Sequence, residues 1–105
     1  MFHAATKLTV VTEQFVASDV CRIIEDCGGR GYTMVSAGGK GSHGVHPTQA
    51  RATVADGFEN VMVETVASDR EPIDRIARRI MDECLSDKPG MFYLQDVEVC
   101  RFERF

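Results

Sequence analysis

The sequence predicts an α+β fold of the ferredoxin-like kind, βαββαβ, with an antiparallel four-stranded sheet and two helices on one face. Three observations point there. Two segments repeat apolar residues at helical spacing: Val20, Ile23, Ile24 and Cys27 in one, and Ile73, Ile76, Ala77, Ile80 and Cys84 in the other. Four further segments, 7–13, 32–37, 60–66 and 91–101, are rich in β-branched and aromatic residues and read as strands. The resulting order is strand-helix-strand, loop, strand-helix-strand, and two halves of similar length pack most economically as one sheet layer under one helix layer.

Each element has its own signals. The strand at 7–13 carries Leu, Thr and Val, and the helix after it has Ser18 as its expected N-cap and Gly28 as its stop. After the strand at 32–37, Gly38-Gly39-Lys40-Gly41-Ser42-His43-Gly44 opens a connection over 38–57, far longer than the usual few residues; such loops are functional or mobile. The third strand, 60–66, leads into Ser68-Asp69-Arg70-Glu71, which matches a capping box, and Pro72 falls in the first helical turn, where its missing N–H costs nothing. Arg75, Arg78, Arg79 and Asp82 lie largely outside the apolar stripe of that helix and read as a solvated face. Ser86-Asp87-Lys88-Pro89-Gly90 breaks the helix, and the last strand, 91–101, puts Val97 and Val99 on one face and Asp96 and Glu98 on the other.

The strands are apolar on both parities. Met91 and Tyr93 oppose Phe92 and Leu94, and Val61 and Val63 oppose Met62 and Val66. Two helices cover one face, so the other is expected to pack sheet against sheet in a homo-oligomer.

Composition narrows the function classes. The chain has 105 residues, enough for one domain over 1–105, with 27% charged and 44% hydrophobic residues, the profile of an ordered soluble protein. No segment approaches a membrane span, and the N-terminus lacks the apolar region of a signal peptide, so a cytoplasmic protein is expected. A formal net charge of −4 argues against neutralising nucleic-acid phosphates, and the last strands lack the aromatic pattern of an RNA-binding sheet. Cys21, Cys27, Cys84 and Cys100 show no C-x-x-C pairing; Cys27 and Cys84 continue apolar helix stripes and read as packed thiols.

The chemistry-bearing segment is the glycine-rich one. Closely spaced glycines let backbone N–H groups converge on an anion, to which Lys40 adds charge and Ser42 a hydroxyl; the plainer reading is a flexible turn. It is not a phosphate-binding loop of the nucleotide hydrolases, which needs Lys directly before Ser or Thr and a helix after it. No general base is evident, and Glu64, the strand carboxylate near the motif, reads as an inter-subunit or nucleotide hydrogen-bonding group. The expectation is a binding protein and no enzyme, with nucleotide hydrolysis as the alternative.

Gly31-Tyr32-Thr33-Met34-Val35 leading into Gly39-Lys40-Gly41-Ser42, a long loop, and a short turn before the final strand together resemble the PII signal-transduction superfamily. The chain is most similar to the PII-like branch of carboxysome-associated and bicarbonate-transporter-associated proteins, over nearly its whole length. That resemblance implies a trimer binding adenine nucleotide between subunits, with a T-loop at about 38–57 and a B-loop at about 86–90. It places Thr33 at the adenine, Gly39, Lys40, Gly41 and Ser42 at the phosphates, Lys88, Pro89 and Gly90 in the B-loop, and Arg101 at a phosphate. Glu64 joins this nucleotide set, and Lys40, Gly41 and Ser42 would also meet bicarbonate.

Departures from the pattern shape the expectation. The turn at 86–90 is short and has one lysine, which favours AMP or ADP over a triphosphate. Glu103 stands where a second arginine is expected, beside Arg104. The loop 38–57 has no tyrosine to be nucleotidylylated, and the chain ends at Phe105 without a cysteine-containing tail. The resemblance therefore implies a regulator that reports inorganic-carbon and energy status through its T-loop to a protein partner, such as a bicarbonate transporter or a carboxysome-related protein. No cofactor or metal is expected. The competing metal reading is a CutA-like trimer using His43 and His46, although borderline metals ask for three or four fixed ligands.

Overall fold

The computed structural model of the chain describes residues 1–38 and 60–100. Its elements are β1 (Phe2–Glu13), α1 (Gln14–Asp26), β2 (Thr33–Ala37), β3 (Asn60–Ala67), α2 (Arg70–Arg79) and β4 (Gly90–Cys100), and α2 continues into a π-helical turn at Ile80–Cys84. The strands form one antiparallel sheet in the order β2-β3-β1-β4. This is the predicted βαββαβ arrangement.

Strand alternation sorts the residues into two faces. Leu8 and Val10 of β1 and Val61 and Val63 of β3 point to the helix layer and pack with Val16, Val20, Ile23 and Ile24 of α1 and Ile73, Ile76 and Ile80 after β3. All of these are essentially inaccessible to solvent. Phe92 and Leu94 of β4 lie against the same core, in register with Val10 and Leu8.

Several boundaries differ from the sequence reading. β1 begins at Phe2, five residues before the expected start, because its N-terminal half is held by β4 from Phe2↔Cys100 onward. α1 begins at Gln14, directly after β1, so Ser18 is not its N-cap; the cap position is Glu13, which makes no side-chain capping bond. Burial of Val16 and Ala17 extends the apolar stripe one turn towards the N-terminus, and packing outweighs the missing cap. The capping box does not form either. Asp69 is the N-cap of α2, again without a side-chain bond, and Glu71 is drawn instead to Arg75, 3.1 Å away one turn along.

The far end of α1 behaves as expected. Gly28 has φ 88°, and the N–H groups of Gly28 and Gly29 donate to the carbonyls of Glu25 at 3.2 Å and Ile24 at 2.8 Å, the paired bonds of a Schellman stop. The arginines of α2 do more than face water: Arg79 reaches Asp26 at 3.5 Å and Glu83 at 2.6 Å, and Arg75 donates to the Cys27 carbonyl at 3.2 Å. They tie α2 to the C-terminal end of α1. The π-helical turn is not legible in the apolar stripe; in it the Leu85 N–H donates to Ile80 O at 3.0 Å, five residues back.

Candidate functional site

The face of the sheet away from the helices is uncovered. Val35, Met91 and Tyr93 on it are 50, 57 and 38% exposed, so this one sheet leaves a broad apolar surface open. Register places Val35 beside Met62, Met91 beside Val11, and Tyr93 beside Thr9.

A small polar cluster sits within that surface. Glu64 of β3 is the direct cross-strand partner of Thr33 on β2 and of Thr9 on β1. Its Oε2 accepts from the Thr9 hydroxyl at 3.4 Å and lies 3.4 Å from Lys7 Nζ. Thr9 is fully buried although it belongs to the open face, while the side chains of Lys7 and Glu64 are 26 and 30% exposed. The two residues expected from sequence, Thr33 and Glu64, are thus brought together, and two that sequence reasoning missed, Lys7 and Thr9, hold the carboxylate. Alternation puts Lys7 on the same face as Thr9 and Val11, but its partner is remote in the chain, where no local pattern points.

A second group of expected residues gathers at one end of the sheet. Ala37 at the end of β2 pairs with Asn60, Asn60 with Glu13, and Thr12 with Gly90, so the chain leaves for residues 39–59 and returns beside the turn that carries Lys88, Pro89 and Gly90. The Thr12 hydroxyl donates to the Pro89 carbonyl at 3.3 Å and fastens that turn to β1. Gly90 has φ 153°, and a Cβ there would stand 2.8 Å from Leu85 Cδ2 and 3.0 Å from the Val11 carbonyl, so its identity has a backbone reason independent of any ligand. Lys88 is substantially exposed and only loosely paired with Asp87, at 3.5 Å, a contact weak enough to yield to a stronger anion.

The expected site residues that are described therefore fall at two stations. Lys88, Pro89 and Gly90 stand at the loop end; Thr33 and Glu64 lie about 10 Å along the strands from it. Cys100, at the other end of β4, stands about 33 Å from Gly90 at the usual rise per strand residue. Gly39, Lys40, Gly41, Ser42 and Arg101 themselves lie outside the described residues, as do His43 and His46. With its ends this far apart, one subunit cannot close the residues near Gly90 and those near Cys100 around a single small ligand.

Other chemistry is sparse among the described residues. Burial pushes the Cys84 thiol up and likewise that of Cys21, the latter against an opposing hydrogen bond with Tyr32, so both favour the inert protonated form. Cys27 is buried as well, and Cys100 is exposed. No group of three or more His, Cys, Asp and Glu side chains is gathered as a metal site among the described residues, and none of the described helices is long and apolar enough to cross a membrane. A cleft of about 610 Å³ at the far end of the sheet is lined in part by Thr6, Ser68, Arg70, Asp96 and Glu98. Its arginine is already bound to Asp74 at 2.8 Å, which leaves the lining short of free positive charge for an anion.

Comparison with known proteins bears on this geometry. The family described as Nitrogen regulatory protein P-II matches residues 5–104. A PII-like signalling protein of Thermus thermophilus is 26% identical, with 99% of this chain and 97% of that one covered at a TM-score of 0.78. CPII of Thiomonas intermedia, solved bound to ADP and bicarbonate, is 21% identical, covers 100% of this chain and 97% of its own, and has a TM-score of 0.82. A GlnK–ATP complex of B. subtilis is more distant, at 15% identity and a TM-score of 0.65, with 90 and 82% covered.

Proposed function

The chain belongs to the nitrogen regulatory protein P-II family, and from that premise we propose that it is a PII-like regulatory sensor of adenine nucleotide, working as a homotrimer. The observation that carries this reading is the open apolar sheet face, which a neighbouring copy would cover, with the Thr33–Glu64 pair set within it about 10 Å from the turn that carries Lys88. In the trimer a neighbouring copy would close over that face, and the nucleotide would lie between the two subunits.

In this reading residues 1–105 are one domain, with a T-loop at about 38–57 and a B-loop at about 86–90. Gly39, Lys40, Gly41 and Ser42 bind phosphate together with Lys88, Pro89 and Gly90 of the B-loop, Arg101 meets phosphate from the final strand, and Thr33 and Glu64 face the base and ribose. A single B-loop lysine suits AMP or ADP, since a third phosphate would lack charge-assisted partners. CPII, bound to ADP and bicarbonate, supports bicarbonate as a second ligand, which Lys40, Gly41 and Ser42 would hold beside the phosphates. Ligand then orders the T-loop and changes the surface shown to a cytoplasmic protein partner of inorganic-carbon handling, a bicarbonate transporter or a carboxysome-related protein. The ligand is sensed and not turned over.

The test is calorimetry with AMP, ADP and ATP, each with and without bicarbonate. ADP or AMP should bind more tightly than ATP, bicarbonate should tighten one of them, and Lys40→Ala should weaken binding about tenfold or more, the scale of a lost charge-assisted contact. Heat-free titrations with all three nucleotides would sink the reading.

A further inference from the structure

We infer that Lys7 and Thr9 are positioning residues for Glu64, holding its carboxylate so that it reads the hydrogen-bond donors of the nucleotide, the ribose hydroxyls and the exocyclic amine, and leaves the phosphates to other groups. This rests on the nucleotide site proposed above and adds to it two residues and a division of labour. An ionised carboxylate only accepts hydrogen bonds, so beside an anionic ligand it can serve only the donor-bearing half of that ligand. Left alone it would repel the phosphates through a poorly screened surface. Lys7 Nζ, 3.4 Å from Glu64 Oε2, offsets that charge, and the Thr9 hydroxyl, 3.4 Å from the same oxygen, fixes its direction. Both contacts fall on one oxygen. The other, Oε1, takes part in neither contact, and in this inference it accepts from the ligand, on the face that Glu64 shares with Thr33, its direct cross-strand neighbour.

The cluster has the character of a built site. Thr9 is fully buried on a face that is otherwise open, and Lys7 stands diagonally across the strand pair from Glu64, its own direct partner being Val66, so its ammonium must reach sideways to make the pair. A lysine placed only for solubility has no reason to turn towards the centre of an apolar sheet face.

The experiment compares ADP, 2′-deoxy-ADP and inosine diphosphate, which lacks the exocyclic amine, by calorimetry on the full chain. Wild type should prefer ADP over at least one analogue by about tenfold or more. Lys7→Met and Thr9→Val should bring that ratio close to one, and Lys7→Arg should restore it, with thermal melts of the same proteins reporting their folding. Thr9→Val keeps the β-branched shape and decides the matter if Lys7→Met does not fold. Retention of the full ratio in a folded Lys7→Met or Thr9→Val protein overturns the inference, because a merely structural role would change melting and leave discrimination alone. Wild type that binds all three ligands equally overturns it too and leaves the sensor reading standing, whereas wild type that binds none of them removes both.

Discussion

The two faces of the same sheet are built from alternate residues of the same strands, yet they solve burial differently. On one face Leu8, Val10, Val61 and Val63 are closed off by helices of this chain, and no buried side-chain polar atom is left without a partner among the described residues. On the other, Val35, Met91 and Tyr93 stay in water around a polar centre of Lys7, Thr9 and Glu64. The first face completes a core, and the second keeps apolar side chains in water around charged and hydroxyl groups. The difference teaches that apolar residues on both parities of a strand do not mean a sheet covered twice by its own chain.

Three substitutions test that contrast. The largest effect belongs to the covered face: Leu8→Ala should cost about 3 kcal/mol in chemical denaturation, the scale of buried leucine truncations, and a loss below about 1 kcal/mol would show that the face is less tightly closed than its burial implies. On the open face, Met91→Asp should leave the far-UV circular dichroism of the folded subunit unchanged while light scattering shows the assembly reduced to monomer. An intact trimer carrying that aspartate would remove the contrast between the faces.

The smallest effect concerns the helix layer. Arg79 holds the Glu83 carboxyl below its ordinary value, chiefly through their hydrogen bond. A carboxyl whose folded value is depressed contributes stability above its unfolded value, here about 4.5, and loses that contribution as pH falls through the lowered folded value. Glu83→Gln should therefore be slightly less stable than wild type at neutral pH, with the gap closing as the solution is acidified below that range; a gap that persists in acid would assign the effect to packing instead.

Much of this architecture is legible without coordinates. The stripes of Ile23, Ile24, Ile73, Ile76 and Ile80 fall on the buried sides of their helices, Phe92 and Leu94 face the core opposite Met91 and Tyr93, and Gly28 ends α1. Helix starts are less so. Ser18 and Ser68 offer good local capping chemistry, but α1 opens a turn earlier to bury Val16 and Ala17, and Glu71 finds Arg75. Of the site, Thr33 and Glu64 are expected from sequence and stand side by side, whereas Lys7 and Thr9 are not, because a strand lysine and a strand threonine carry no local signal of a partner more than half the chain away.

By itself the sequence determined what short-range physics can determine. Periodicities of about 3.6 and 2 settle which segments are helix and which strand, and which side of each helix turns inward. The tertiary structure alone decided the register of β1 against β3 and β4, and register decides which polar side chains meet on the open face. Register is a cooperative property of the whole sheet, summed over many weak cross-strand pairs, and no window of sequence short enough to read by pattern contains it.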